Sequence, residues 1–195
     1  MLPEKIIFVG ILANIIGSLW YLRSIIWGNT KPNLVSWIIW TLPPFIGVFL
    51  MLKAGAGLSF WGVLAAGITS LIVVVVSFLK NNGYWQLNRF DLICGAIALT
   101  SLIIYALTYN LGISILFAIV ADSLAYIPTI RKSWKYPETE SGATYIGGVI
   151  NNSLALLVIT NWIFPIYSFN ITILFMNLVV IFSIYRKKII FWYNG

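Results

Sequence analysis

Long apolar runs alternate with short polar breaks along the whole chain. Each run has about 18–23 residues, enough for a helix to cross about 30 Å of hydrocarbon. The seven runs lie near 5–27, 34–53, 58–80, 90–109, 112–131, 143–160 and 163–185. The connections between them are short and rich in Gly, Asn and Pro, which favour turns over helix. The pattern therefore predicts an all-α integral membrane protein with seven transmembrane helices.

The composition supports a membrane location. Of the 195 residues, 61% are hydrophobic and 9% are charged, whereas soluble domains have about 45–50% apolar and about 25% charged residues. The first run lacks a basic leader and a small-residue cleavage site, so we interpret it as a retained helix. The chain has no histidine and one cysteine, Cys94. This excludes a disulfide framework and the usual zinc ligand set, and we predict no cofactor.

Basic residues are divided unequally between the two sides of the predicted membrane. The side that holds the N-terminus contains only Lys5 and Lys53. The opposite side, which holds the C-terminus, contains Arg23, Lys31, Lys80, Arg89, Arg131, Lys132, Lys135, Arg186, Lys187 and Lys188. These two and ten residues are all 12 of the Lys and Arg. Because short basic loops remain in the cytoplasm, we predict a multi-pass cell-membrane protein whose N-terminus is outside and whose C-terminus is cytoplasmic.

The chain contains an internal repeat. A shift of 105 residues aligns Gly17–Trp37 with Asp122–Gly142 without a gap, and six of the 21 positions are identical. The same shift carries spans one to three onto spans five to seven. The sequence thus predicts a three-helix repeat (1–82), a linker helix (83–110) and a second three-helix repeat with a basic tail (111–195). The linker crossing makes the repeats parallel, an arrangement found in transporters. Chance similarity between two apolar helix–loop–helix pieces is the alternative.

A local motif occurs in both repeats. The second copy reads Tyr126-Ile-Pro-Thr-Ile-Arg-Lys-Ser, followed by Glu140-Ser, and the first reads Tyr21-Leu-Arg-Ser, followed by Lys31-Pro. Together with the three-plus-one-plus-three pattern, these residues resemble the SWEET sugar facilitators, the PQ-loop proteins and the PnuC vitamin transporters. The resemblance implies transport by alternating access of the two repeats, a sugar or nucleoside-like vitamin as substrate, and a hinge role for Pro128.

Polar residues in the middle of apolar spans are the first candidates for a substrate site. Asp122 lies near the centre of the fifth span, where a carboxylate costs about 2.5–3.5 kcal/mol on insertion scales. Tyr126 follows one turn later and shares its face. Asn151 and Asn152 lie midway along the sixth span, at the same predicted depth. Two further candidates of this type are Asn14 and Asn177. The alternative role for all of them is hydrogen bonding between helices.

Helix breakers and tryptophans complete the candidate site. Pro43-Pro44 falls in the middle of the second span and Gly147-Gly148 in the sixth, at positions that the repeat shift matches. Matched breakers are typical of the binding site and the moving parts of transporters, so we predict hinges at both; close helix packing is the alternative for the glycines. Trp37 and Trp40 share one helical face. They are candidates for stacking on a substrate, or else membrane-interface anchors.

These features predict a membrane transporter, either a facilitator or a proton-coupled carrier, for a small and mostly neutral solute. A ligand-binding receptor or sorting protein on the same scaffold is the alternative, because fold does not fix function. An enzyme is disfavoured, since the chain has no catalytic motif and Asp122 lacks the second acid or base that most hydrolytic chemistry needs. The predicted partners are a small-molecule substrate and the lipid bilayer, without nucleic acid; self-association into a homo-oligomer is left open.

Overall fold

The computed structural model describes an all-helical protein. It describes residues 3–81, 89, 92, 93, 96, 100, 103, 107 and 110–194, and their side chains as far as residue 187. Within this part of the chain 83% of the residues are helical and none forms a strand. The all-α prediction is therefore confirmed. The fourth predicted span, 90–109, and Cys94 fall outside the described residues, apart from the isolated positions.

The helices lie close to the predicted spans. They are α1 (Ile7–Ile26), α2 (Leu34–Ile39), α3 (Leu42–Lys53), α4 (Phe60–Lys80), α5 (Leu111–Lys135), α6 (Ala143–Leu157) and α7 (Phe164–Asn194). Short 3-10 turns occupy Glu4–Ile6 and Pro137–Thr139. The second span consists of two helices, the sixth has only 15 residues, and the seventh continues beyond its predicted end to 31 residues.

Local sequence explains where several of these helices begin and end. The Asn33 side chain accepts a hydrogen bond from the Ser36 amide at the start of α2 (3.3 Å). At the start of α5, Asn110 accepts from the amides of Gly112 (2.9 Å) and Ile113 (3.1 Å). Such caps satisfy amides that have no partner within the helix. Asn81 ends α4 in the left-handed conformation, with φ of 52°, which asparagine tolerates better than most residues.

The outer surface of the helices is apolar, and the interior contains apolar clusters together with many buried polar side chains. Large apolar side chains such as Leu12, Leu19 and Leu79 are exposed, whereas Asn14 and Asn152 are buried. In a soluble protein, large apolar side chains are mostly buried and polar side chains are mostly exposed. Among the described residues, five segments are long and apolar enough to cross a membrane: Glu4–Ile26, Leu34–Lys53, Phe60–Lys80, Leu111–Lys135 and Phe164–Lys187. These features support a membrane protein with several spanning helices.

Basic side chains gather at one end of the described helices, which we call the basic end. Here α1, α4 and α5 end and α2 and α6 begin. The amide of Lys31, in the α1–α2 connection, donates to the carbonyl of Thr139, in the α5–α6 connection (3.0 Å). At the opposite end Glu4, Ala56 and Thr160 line one small cleft. At each end, the connections between helices therefore lie close to one another.

The two predicted helix breaks have different outcomes. The second span is broken between Ile39 and Leu42, just before Pro43-Pro44 in the first turn of α3, where proline is tolerated. The break predicted at Gly147-Gly148 is wrong, because α6 runs through both glycines. A Cβ at Gly147 would lie 2.7 Å from the carbonyl oxygen of Ala13. The glycines therefore permit close packing of α6 on its neighbours. Pro128 lies buried inside the continuous helix α5.

Helices from the first half of the chain pack against helices from the second half. Helix α1 packs most extensively on α6, whereas α5 packs on both α2 and α3. Helix α4 contacts α1 and α3, and α7 contacts α5 and α6. All of these helices surround one polar region in the middle of the described part of the molecule.

Candidate ligand cavity

A small cavity occupies this polar region. Its lining comes from α1 to α7 and comprises Asn14, Trp37, Trp40, Pro44, Ala66, Thr69, Ser70, Asp122, Tyr126, Thr144, Tyr145, Gly148, Asn152, Ile173 and Asn177. The free space is about 40 Å³. Since a cavity needs about 10–15 Å³ of such space for each water, it has room for about three waters. A sugar-sized molecule enters only if the lining moves apart.

The cavity brings together seven of the eight residues that the sequence predicts for substrate binding: Asn14, Trp37, Trp40, Asp122, Tyr126, Asn152 and Asn177. The exception is Asn151. Its Nδ2 donates to the carbonyl of Gly62 in α4 (3.0 Å), and its backbone lies against Gly10 in α1. Consecutive side chains on an α-helix point about 100° apart because the helix has 3.6 residues per turn. Asn151 and Asn152 therefore face different neighbours, and Asn151 joins helices instead of lining the cavity.

Asp122 is almost completely buried, with 2% of its surface exposed. The indole Nε1 of Trp40 donates to its backbone carbonyl (3.1 Å), and this contact fixes α2 against α5. No basic side chain of the described residues pairs with the Asp122 carboxylate. A carboxylate placed this deep needs a hydrated cavity or a partner, and the cavity supplies the space for one.

Hydrogen bonds between helices hold two walls of the cavity. On one wall the hydroxyl of Tyr126 donates to Oδ1 of Asn177 in α7 (3.2 Å). On the other, Thr69 in α4 donates to Oδ1 of Asn14 in α1 (3.1 Å), and the Ser18 hydroxyl lies 3.0 Å from that of Thr69. These bonds link helices and also orient amide groups at the cavity surface.

Some buried polar atoms of the lining have no hydrogen-bond partner among the described residues. They include the donor Nε1 of Trp37 and the acceptor Oδ1 of Asn152. Nδ2 of Asn152 donates to the carbonyl of Gly148 one turn earlier (2.8 Å), which leaves its oxygen available. A buried polar atom without a hydrogen bond is costly. A ligand or water with both a donor and an acceptor would satisfy the two atoms.

Aromatic rings form the wall towards the basic end. The ring of Trp37 lies 5.2 Å from that of Trp40 in an edge-to-face arrangement, and the Trp40 ring lies 4.3 Å from that of Tyr126. Tyr21 packs behind this wall, 5.2 Å from Trp37 and 6.2 Å from Tyr145 between ring centres. Trp37 and Trp40 are 3% and 5% exposed. They line the cavity and are not interface anchors.

Sequence reasoning missed a buried ion pair beyond this wall. Nζ of Lys132 lies 2.7 Å from Oε2 of Glu140, with 1% and 0% of the two side chains exposed. The Tyr21 hydroxyl donates to the other carboxylate oxygen (2.5 Å), and Lys132 also donates to the carbonyl of Thr139 (2.9 Å). From the sequence alone, Lys132 is interpreted as a topology residue and as part of the local motif, and no pairing with Glu140 is predicted. The available signal was an acid eight residues after a lysine, across a proline-containing turn.

Comparisons with protein-family models, curated proteins and solved structures return no match. Within the described residues no three His, Cys, Asp or Glu side chains lie together in a group that could hold a metal ion.

Proposed function

We propose that the chain is a membrane transporter for a small, mostly neutral, hydrogen-bonding solute such as a sugar or a nucleoside-like vitamin. The observation that carries the proposal is the central cavity, whose wall combines Asp122, eight amide or hydroxyl side chains and two tryptophans. Ligand sites typically combine apolar and aromatic walls with a few oriented polar groups. The unpartnered atoms of Trp37 and Asn152 provide one donor and one acceptor for such a solute.

The small size of the cavity favours a carrier over an open pore. A solute of sugar size requires the lining to separate, and a carrier alternates between such states. Transport would be facilitated diffusion or coupled to protons, with Asp122 as the group that could bind the proton.

Matched contacts support an arrangement of two parallel three-helix repeats joined by a linker helix. The shift of 105 residues places Ile7–Ile26 within α5 and Phe60–Lys80 within α7. The same shift relates two aromatic contacts to each other, because it aligns Tyr21 with Tyr126 and Trp40 with Tyr145. The contact of Tyr21 with Tyr145 thus has its counterpart in that of Tyr126 with Trp40. Such a correspondence is expected of two units related by an approximate twofold axis.

The proposed orientation follows from charge. The basic end is placed in the cytoplasm because basic residues there greatly outnumber those at the opposite end. Alternating access would then open the cavity in turn to the cytoplasm and to the outside.

A ligand screen followed by uptake tests the proposal. Sugars, nucleosides and related vitamins are added to the purified protein, and the temperature of unfolding is measured, because a ligand that binds only the folded state raises stability. Each hit is then tested for uptake into proteoliposomes. Uptake that saturates supports a transporter. Binding without uptake would favour a receptor or sorting protein, and the absence of any hit among these solutes would reject the proposed substrate class.

A further inference from the structure

The buried ion pair lies between the cavity and the basic end. Trp37 and Tyr145 form the cavity wall, and Tyr21 packs against both rings. The hydroxyl of Tyr21 then reaches Glu140, which is paired with Lys132. The ion pair and the Tyr21 hydroxyl therefore form a charged network that supports the aromatic wall on the side of the basic end.

The network connects parts of the chain that are distant in sequence. Tyr21 belongs to α1, Lys132 to the last turns of α5, and Glu140 to the connection between α5 and α6. The adjacent backbone bond from Lys31 to Thr139 ties the α1–α2 connection to the same point. Rupture of this network would free the two connections to separate.

A purely stabilising role does not explain these charges. A buried ion pair gains little stability over apolar side chains of similar volume, because both charges lose their hydration. The pair has no counterpart in the first repeat, since the repeat shift places the exposed Trp27 opposite Lys132 and Val35 opposite Glu140. The pair thus occurs at one of two related positions. At an end of the bundle, separated charges also regain water, which lowers the cost of opening.

We propose that Tyr21, Glu140 and Lys132 form a latch that closes the cavity at the basic end, and that the cavity opens on this side when the latch separates. The latch rests on the proposed alternating access, whose conformational states it controls. Tyr21 acts as a positioning residue, because it holds the carboxylate of Glu140 with its hydroxyl and the aromatic wall with its ring.

Accessibility of the cavity to a thiol reagent tests the latch. The single cysteine, Cys94, is replaced by serine, and Ser70, which lines the cavity and is 4% exposed, is replaced by cysteine. A membrane-impermeant methanethiosulfonate is added to the side that the basic end faces. The labelling rate follows the fraction of open molecules when opening is fast. The measurement needs no substrate.

Tyr21→Phe and Glu140→Gln are compared with Glu138→Gln as the matched control, since Glu138 is exposed two residues before Glu140. A hydrogen bond to a charged group shifts an equilibrium by about ten- to a hundredfold. We expect labelling to accelerate by about that factor in Tyr21→Phe, by at least as much in Glu140→Gln, and not at all in the control.

If Glu140→Gln fails to fold, Tyr21→Phe decides the outcome, because the ring remains to pack against Trp37 and Tyr145. Labelling at the parental rate in Tyr21→Phe overturns the latch. That result would leave the proposed transport untouched, since the ligand screen and uptake assay test it separately. Failure of every ligand to bind would, conversely, leave a faster labelling rate as direct evidence for a closing device.

Discussion

Two adjacent glycines in α6 are predicted to respond differently to the same substitution. At Gly147 a Cβ would lie 2.7 Å from the carbonyl oxygen of Ala13 and 3.1 Å from the Cα of Asn14, both backbone atoms of α1. At Gly148 it would meet the Nδ2 of Asn177, a side-chain atom at the cavity wall. Gly147→Ala therefore disturbs the packing of two helices, whereas Gly148→Ala disturbs the cavity.

The expected magnitudes follow from these contacts. Real Cβ atoms essentially never come within 3.0 Å of a neighbour, so α1 must move away from Gly147 by 0.3 Å or more (3.0 minus 2.7). Overpacking of this kind costs about 1–3 kcal/mol, and alanine returns about 1 kcal/mol through its helix propensity. We expect Gly147→Ala to lower the free energy of unfolding by about 1 kcal/mol.

Gly148→Ala should leave the free energy of unfolding almost unchanged. Displacement of the Asn177 amide breaks the hydrogen bond from Tyr126 (3.2 Å), a loss of about 0.5–1.5 kcal/mol that the gain in helix propensity offsets. Ligand affinity should fall, however, because Asn177 lines the cavity. The same substitution thus distinguishes Gly147, which packs against α1, from Gly148, which lies at the cavity.

Reversible denaturation in mixed micelles measures both variants, with Gly57→Ala as the control. A Cβ at Gly57 would have no neighbour within 4 Å. If Gly147→Ala proves as stable as Gly57→Ala, the close contact of α1 and α6 does not constrain the fold and the packing argument is refuted. Equal losses in Gly147→Ala and Gly148→Ala would refute the distinction between the two positions.

Three further predictions concern the site and the topology. Asp122→Asn should abolish or uncouple transport while the protein remains folded, as judged by uptake and by the temperature of unfolding; unchanged transport would make Asp122 structural. Trp37→Phe should weaken ligand binding by about 0.5–1.5 kcal/mol, and Trp40→Phe should lower stability more than Trp37→Phe does, because it also removes the bond to the Asp122 carbonyl; calorimetry and denaturation distinguish them. Cysteines at Glu4 and Lys187 should label from opposite sides of intact cells, and labelling of both from one side would contradict an odd number of crossings.

The positions of the helices were predictable because long apolar runs leave the chain few alternatives in a bilayer. The second span illustrates both the success and the limit: its outer bounds, 34–53, match the structure, and the prolines correctly indicate its break. Glycines carry a weaker signal, because the same residue permits either a bend or a close approach. At Gly147 the approach of α1, which lies distant in sequence, decides between them.

Site residues were predictable where a polar residue interrupts a long apolar span. Asp122 and Asn152 stand out because hydrocarbon excludes their side chains. The rotation of α6 that separates Asn152 from Asn151 depends on tertiary packing, so depth along the span did not distinguish them. The pairing of Lys132 with Glu140 was not predictable, because both residues lie near a polar connection, where charged side chains are usually exposed to solvent. Only the folded structure buries the two side chains together.

The shortness of α6 has a consequence for the surrounding lipid. Fifteen residues at 1.5 Å each give about 22 Å, less than the roughly 30 Å of a typical hydrocarbon core. A helix shorter than the core is accommodated by local thinning of the bilayer or by extended flanking residues. Helix α6 supplies Thr144, Tyr145, Gly148 and Asn152 to the cavity. Under the proposed arrangement, in which α6 crosses the bilayer, acyl chain length acts on the candidate site from outside the protein, and thicker bilayers should strain a helix that supplies four of its lining residues.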